Sequence, residues 1–271
     1  MHETLASSPL SIREIRRRLE TSVIGQHLYL FDQVESTNTS LDAIARAGGR
    51  AGTVLVADSQ TDGRGRRGQS WFSPAGVNLY VSALFRPRFA PREAGRFSFV
   101  ASLAVSDAVR ELGVHPAIKW PNDVLLDRKK IAGALVECAT RAGEVDFLIL
   151  GVGVNLNVQP AALRDALGGA AAGATSVAHV LGREIDRNAF AASYLNHLDR
   201  WAGRYHGEGP GVVVAAWRDR DILTGRRVEI RAPTGDVEGR ALGVDPDGHL
   251  VVEDANGRRQ IIVSANVRLL D

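Results

Sequence analysis

Two short segments carry most of the chain's capacity for chemistry. The first is Gln60-Thr61-Asp62-Gly63-Arg64-Gly65-Arg66-Arg67-Gly68-Gln69-Ser70-Trp71. Glycine lets a backbone come close to a ligand and take φ > 0. Arginine presents a planar, permanently charged fork that matches carboxylate and phosphate. Three glycines and three arginines between Gly63 and Gly68 therefore describe an anion-handling loop. It is not a Walker A loop, which needs G-x-x-x-x-G-K-[ST]. It fits G-x-G-x-x-G letter for letter, but cations fill the variable positions and no helix is predicted after Gly68, so the dinucleotide fingerprint lacks its context. The second segment is Lys119-Trp120-Pro121-Asn122-Asp123, followed by Lys129-Lys130-Ile131-Ala132-Gly133. Lys130, opening an apolar strand, is either a gatekeeper or a point charge for an anion, and Lys129 should point the other way by strand alternation. Pro121 stiffens the turn before Asn122 and Asp123. That is an ordinary turn, or a carboxylate placed to orient or deprotonate an ammonium.

The elements that must position these groups alternate between strand and helix. Residues 54–57, 79–84, 118–120, 124–126, 131–138 and 147–158 read as strands, and 41–46, 93–112 and 188–205 as helices. Glu35-Ser36-Thr37-Asn38 precedes the first helix, so its hydroxyls and amide can cap that helix or face a ligand. Gly151-Val152-Gly153-Val154-Asn155 closes the last strand. Residues 1–28 look peripheral, with Ile12, Ile15 and Leu19 at helical spacing on a short amphipathic helix whose basic face is solvated. Residues 161–174 are almost all Ala, Gly and Leu, the composition of a loosely ordered surface loop or of a mobile cover. After about Asp221 the pattern becomes short strands at 227–231, 239–244, 250–253 and 260–263. They are punctuated by Pro233-Thr234-Gly235-Asp236, Asp245-Pro246-Asp247-Gly248 and Asp254-Ala255-Asn256-Gly257, which predicts a small β-barrel.

Composition narrows the class. The chain has 271 residues, 45% of them hydrophobic, which suits a globular enzyme with one large and one small domain. Net charge is +2, giving no general case for nucleic acid or a membrane surface. No apolar run is long enough to span a bilayer and there is no secretory segment. The single cysteine, Cys138, lies in an apolar run and reads as a buried structural thiol in a reducing cytoplasm.

The motifs S-T-N, G-R-G-R-R-G-x-x-W, K-W-P-N-D, K-x-A-G and G-x-G-x-N, in that order, resemble the bacterial biotin protein ligases from about Tyr29 to the C-terminus. The resemblance implies an α+β fold: a mixed-sheet catalytic domain of the biotin/lipoate ligase type, like class II aminoacyl-tRNA synthetases, over 29–221, and an SH3-like barrel over 222–271. Residues 1–28 form an N-terminal extension, too short for the DNA-binding winged helix-turn-helix of some members, so a short form without repressor function is expected. The implied activity is ATP-dependent formation of biotinyl-5'-AMP, then transfer of biotin to a lysine of the biotin carboxyl carrier protein of acetyl-CoA carboxylase. Biotin and ATP are the implied substrates, with Mg²⁺ held mainly by ATP phosphates and weakly by Asn122.

Residue by residue, the resemblance makes Lys130, Arg64, Arg66 and Asp123 the catalytic set. It puts Ser36, Thr37, Asn38 and Gln60 against the ureido ring of biotin. Gly63, Arg64, Gly65 and Arg66 follow from the loop, and Lys130, Gly133, Leu135 and Gly151 from the strands. Arg66, Trp71, Asn122, Lys130 and Asn155 fall to ATP and the adenylate, and residues 161–174 to an adenylate-covering segment. Gln69 departs from the pattern, since the family often has a cation there. A homodimer through sheet edges is another family possibility. Two other readings stay open: a lipoate or octanoate ligase of the same fold, and a nucleic-acid binder using the Arg-rich loop. With nothing apolar in it, the loop over 63–70 is expected to be mobile without ligand.

Overall fold

The computed structural model describes residues 9–232 and 235–270. Residues 1–8 of the expected N-terminal extension, the Pro233-Thr234 half of one turn signal and Asp271 lie outside the described residues.

The larger part of the chain is built on β1 (His27–Val34), β2 (Thr53–Gln60), β3 (Leu79–Phe85), β4 (Ala117–Lys119), β5 (Asp123–Leu126), β6 (Lys129–Arg141) and β7 (Glu144–Val154). They form one mixed sheet in the order β1-β2-β3-β7-β6-β5-β4. β1 and β2 run parallel, joined through helix α2 (Thr37–Arg46), and the remaining neighbours are antiparallel. The central strands are apolar at successive positions because both faces are covered. Val54, Val56, Val81, Ala83, Leu148 and Leu150 enter the larger core with helices α3 (Phe97–Arg110), α6 (Arg187–Glu208) and α7 (Pro210–Arg218). Leu55, Leu84, Phe147 and Ile149 enter a smaller core with Leu41 and Ala45 of α2.

Several expectations are revised. β1 was not legible, because its outward positions, Tyr29 (44% exposed) and Phe31 (41%) among them, break the alternation. The N-terminal segment is not peripheral. Helix α1 (Ile12–Arg16) buries Ile15, and Ile24 is buried too. The backbone N–H of Ser11 donates to Asn188 Oδ1, and Asp199 accepts from the N–H groups of Ser22, Val23 and Ile24. Residues 161–174 are not a loosely ordered loop: helix α4 (Pro160–Leu167) is followed by a 3₁₀ segment, Gly168–Gly173, and then by helix α5 (Val177–Leu181). The first four residues of the expected 93–112 helix fall in a separate 3₁₀ turn, Pro91–Arg96. Cys138 is exposed rather than buried. It follows Ala134 and Val136 along the α3-facing side of β6 but lies at the end of that row, where the helix no longer covers the strand.

The C-terminal part is a five-stranded antiparallel sheet of β8 (Arg227–Ala232), β9 (Gly235–Val244), β10 (Leu250–Glu253), β11 (Arg259–Ile262) and β12 (Asn266–Leu269), in the order β11-β10-β9-β8-β12. It is tied to the rest of the chain directly and through the segment that leads into β8. Ile118 of β4 exchanges backbone bonds with Arg220 and Ile222, and the Trp120 indole donates to the Gly248 carbonyl at 2.9 Å. Among the described residues no helix is long and apolar enough to cross a membrane.

Phe99 of α3 and Trp217 of α7 stack at 4.5 Å with their rings 14° apart, and Trp217 is fully buried. Trp217→Ala is expected to lower stability by about 3–5 kcal/mol through the cavity it leaves. Urea unfolding of the two proteins measures it; a loss under about 1 kcal/mol would show that this stack does not hold the helical layer.

Candidate active site

A cleft of ≈ 290 Å³ opens on the α2 face of the large sheet. It is lined by Ser36, Thr37 and Asn38 from the start of α2, and by Gln60 at the end of β2. Arg64, Gly65, Arg66 and Trp71 come from the following loop, and Lys119, Asn122 and Asp123 from the β4–β5 turn. Lys130, Gly133 and Leu135 of β6, Gly151 and Gly153 of β7, and Ala265–Val267 of the C-terminal sheet complete it.

One end is neutral and hydrogen-bonded. Gln60 Oε1 accepts from the Thr37 backbone N–H at 2.9 Å, and Gln60 Nε2 donates to Ser73 Oγ at 2.8 Å. Ser82 Oγ lies 2.7 Å from Thr37 Oγ1 and donates to Asn38 Oδ1 at 2.6 Å. Ser36 occupies the N-cap position of α2 but makes no side-chain capping bond. Gly151 is required by this arrangement, because a Cβ there would overlap Asn38 Oδ1.

The other end is cationic. Lys130 Nζ pairs with Asp123 Oδ1 at 2.6 Å and sits 5.2 Å above the Trp71 ring, a cation–π geometry. Strict strand alternation would put Lys130 on the face opposite Gly133 and Leu135, and a bulge changes this. Leu125 pairs with Lys130 while Val124 pairs with Ala132, so Ile131 is an extra residue. The bulge turns Lys130 onto the same face as Gly133 and Leu135. A Cβ on Gly133 would stand 3.2 Å from Lys130 Nζ. Lys129 is exposed. Burial pushes the Lys119 amine below its ordinary value, with Lys130 adding to the effect and Asp123 opposing it. Burial, then Arg67, likewise push the Arg66 guanidinium down. Asp123 is the one carboxylate among the described residues lining the cleft, against Arg64, Arg66, Lys119 and Lys130.

The Arg-rich loop is closed on itself and on its surroundings. Gly65 N–H donates to the Gln69 carbonyl at 2.6 Å, and Trp71 N–H to the Gly63 carbonyl at 2.7 Å. Arg64 Nη2 donates to Thr39 Oγ1 at 3.0 Å. Arg66 Nη2 reaches Ser264 Oγ at 2.9 Å. Arg67, at φ 56°, donates to the carbonyls of Ser264 and Arg231. The expectation of a mobile loop rested on its lack of apolar anchors; its polar anchors are Thr39 in α2, Ser264 between β11 and β12, and Arg231 of β8, which leave no apolar trace in the loop.

Two expected residues are not brought to the cleft lining. Gly63 packs against its own loop, near Ser73 and the Trp71 carbonyl. Asn155 is buried and donates Nδ2 to the Thr175 carbonyl at 3.1 Å. Asn122 spends its Nδ2 on the Ala134 carbonyl at 2.6 Å, and the neighbouring Asp123 is committed to Lys130. One amide and one ion-paired carboxylate between two lysines do not make a resident magnesium cage, which needs several free oxygens. Sequence reasoning left Lys119 and Ser82 unassigned. Both carried a signal, being polar residues inside otherwise apolar strands.

The Biotin/lipoate A/B protein ligase family model matches residues 30–155, and the Biotin protein ligase C terminal domain model matches residues 223–270. A biotin–[acetyl-CoA-carboxylase] ligase of Mycobacterium tuberculosis is 36% identical over 265 residues, covering 95% of this chain and 94% of that protein. The bifunctional ligase/repressor BirA of Bacillus subtilis is 33% identical over 261 residues, covering 96% of this chain and 79% of that protein. Among solved structures, a biotin protein ligase from Aquifex aeolicus in complex with biotin and ATP aligns with a TM-score of 0.75 at 26% identity, covering 90% of this chain and 98% of that one. The chain belongs to the biotin/lipoate ligase family, on its biotin protein ligase branch. It is an enzyme of the ligase class.

Two measurements probe the cleft as folded. A Cβ at Gly153 would overlap the Trp71 indole. Gly153→Ala is therefore expected to expel that ring, shifting tryptophan emission to longer wavelength and increasing its acrylamide quenching. The Trp71→Phe background, where the shift should vanish, assigns the signal. The second measurement concerns Lys119. A lysine whose folded pKa lies below its unfolded value binds fewer protons folded than unfolded, so its contribution to stability rises with pH across that window. Lys119→Met should thus be at least as stable as the parent at neutral pH. The parent should gain on it as pH rises toward about 10, near the ordinary lysine value. Tm measured against pH for both proteins checks the sign; a parent that loses ground on raising the pH would reverse it.

Proposed function

We propose that the protein forms biotinyl-5'-AMP from biotin and MgATP and transfers the biotinyl group to one lysine of the biotin carboxyl carrier protein of acetyl-CoA carboxylase. The observation that carries this reading is the polarity of a single cleft: neutral donors and acceptors at one end, four cations around one carboxylate at the other. Biotin has the same polarity, with an uncharged ureido head and a carboxylate tail. The relatives' names support the same activity, including that of the mycobacterial ligase.

In the first step a biotin carboxylate oxygen attacks the α-phosphorus and pyrophosphate leaves. Two anions must be brought together, and negative charge grows on the phosphoryl oxygens, so preorganised cations lower the barrier. Lys130, Arg64 and Arg66 take this role, with Lys119 beside them. Magnesium travels with the nucleotide as part of the substrate. The Trp71 indole N–H, which has no acceptor among the described residues, is free to meet a ligand acceptor. In the second step the acceptor lysine nitrogen attacks the acyl carbon and AMP leaves. Asp123, released when Lys130 follows the phosphate, orients the incoming ammonium and takes its proton.

Mass spectrometry of carrier domain incubated with enzyme, MgATP and biotin is the test. One biotin on one lysine is expected, and no transfer, or equal transfer of lipoate, would sink the reading. Lys130→Ala should slow adenylate formation roughly a hundredfold or more, since a well-placed charge is worth on the order of 2–4 kcal/mol at a transition state. Lys129→Ala is the control and should be mild. Asp123→Asn should slow transfer from preformed biotinyl-adenylate more than it slows adenylate synthesis. Single-turnover transfer at the parent rate would remove Asp123 from the second step.

A further inference from the structure

Glu137 lies on β6 two positions beyond Leu135 and shares its face of the strand. It does not line the cleft itself. It stands behind it, in the wall between the cleft and a second hollow bordered by Thr39, Asp42, Phe147 and Ile149. Its Oε2 oxygen accepts twice: from Asn38 Nδ2 at 2.6 Å and from Arg64 Nη2 at 3.3 Å. Asn38 is buried, with its other amide atom, Oδ1, facing Ser82 Oγ at 2.6 Å.

These contacts fix which way the Asn38 amide points. A carboxylate only accepts, so the amide nitrogen must face Glu137 and the oxygen must face the Ser82 hydroxyl. Without the carboxylate, Ser82 could serve either amide orientation, since a hydroxyl both donates and accepts. With it, Asn38 keeps one N–H and one oxygen lone pair for the cleft, in a single arrangement. The same oxygen draws Arg64, the first cation of the loop, toward the neutral end. We infer that Glu137 is a positioning residue for head-group recognition. It locks the Asn38 amide and seats Arg64 on one oxygen, so that the side chain reading an uncharged cyclic urea and the loop closing over it are set together.

The inference rests on the biotin reading above. A charge-assisted hydrogen bond of this kind should be worth about tenfold to a hundredfold in ligand affinity. Glu137→Ala is expected to weaken biotin binding by that factor in titration calorimetry. The KM for ATP at saturating biotin should change less than biotin affinity does, because Glu137 touches only Arg64 of the four cations and leaves Lys130, Arg66 and Lys119 in place. Glu137→Gln keeps one oxygen able to accept from both Asn38 and Arg64 but loses the charge, so it should recover part of the lost affinity. In an Asn38→Ala background the Glu137→Ala effect should shrink to the Arg64 share. Should Glu137→Ala fail to fold, Glu137→Gln with and without Asn38→Ala reads the same coupling. Equal losses for biotin and ATP, or full additivity with Asn38→Ala, would overturn the positioning role. A parent protein that binds no biotin would overturn the ligase reading and this inference with it. A parent that binds biotin with variants that bind equally well would overturn this inference alone.

Discussion

The Lys130–Asp123 ion pair at 2.6 Å is the contact on which the cleft's organisation turns. Four cations face one carboxylate there, and like charges held close together repel. The pair spans the β5–β6 ladder, whose bulge at Ile131 lets Lys130 share a face with Gly133. A lysine on a regular strand would point into the larger core instead, where an uncompensated charge is costly. The Trp71 ring beneath Lys130 and the glycine beneath Trp71 continue the same stack toward β7. Each layer makes room for the next.

The remaining repulsion is relieved by distance and by the C-terminal sheet. Arg66 and Arg67 turn toward Ser264, and Arg64 turns the opposite way, toward Thr39 and Glu137. Three neighbouring guanidinium groups are thus spread across two structural units. The C-terminal sheet is therefore more than a neighbour of the cleft. Ser264 holds the loop, Ala265–Val267 form part of the wall, and Gly248 holds Trp120 of the β4–β5 turn.

What the sequence disclosed follows from the range of the forces involved. The central strands were legible because burial on two faces writes itself as continuous apolar runs. The motif residues were legible because their chemistry is unusual for their setting, and most of them converge on one cleft. Asn155 and Gly63 lie outside the cleft lining: a motif letter can serve ligand or scaffold, and only the fold separates a side chain aimed at the cleft from one that holds Thr175. Cys138 misled because an apolar run does not reveal where the covering helix stops. The packing of residues 9–26 on α6 depends on partners more than a hundred residues away. The Ser264 contact to Arg66 is of this kind too, and that of Glu137 to Asn38 spans 99 residues. Ser82 and Lys119 are intermediate, since an isolated polar residue within an apolar strand is a local sign of a nearby site.

The two ends of the cleft meet different physical demands. Recognising an uncharged head group needs donors and acceptors that are already satisfied by the protein in one geometry, because an unpaired buried amide carries a desolvation penalty. Ser82, Asn38, Thr37 and Gln60 meet that demand among themselves. Stabilising a growing negative charge needs the reverse: cations left short of partners until the anion comes. Burial depresses the pKa of Lys119 and Arg66 at that end. An anion entering there would add countercharge where Asp123 alone supplies it, so ligand binding and stability would be coupled through mass action. Glu137 is where the two demands touch, since one carboxylate oxygen serves the neutral end through Asn38 and the cationic loop through Arg64.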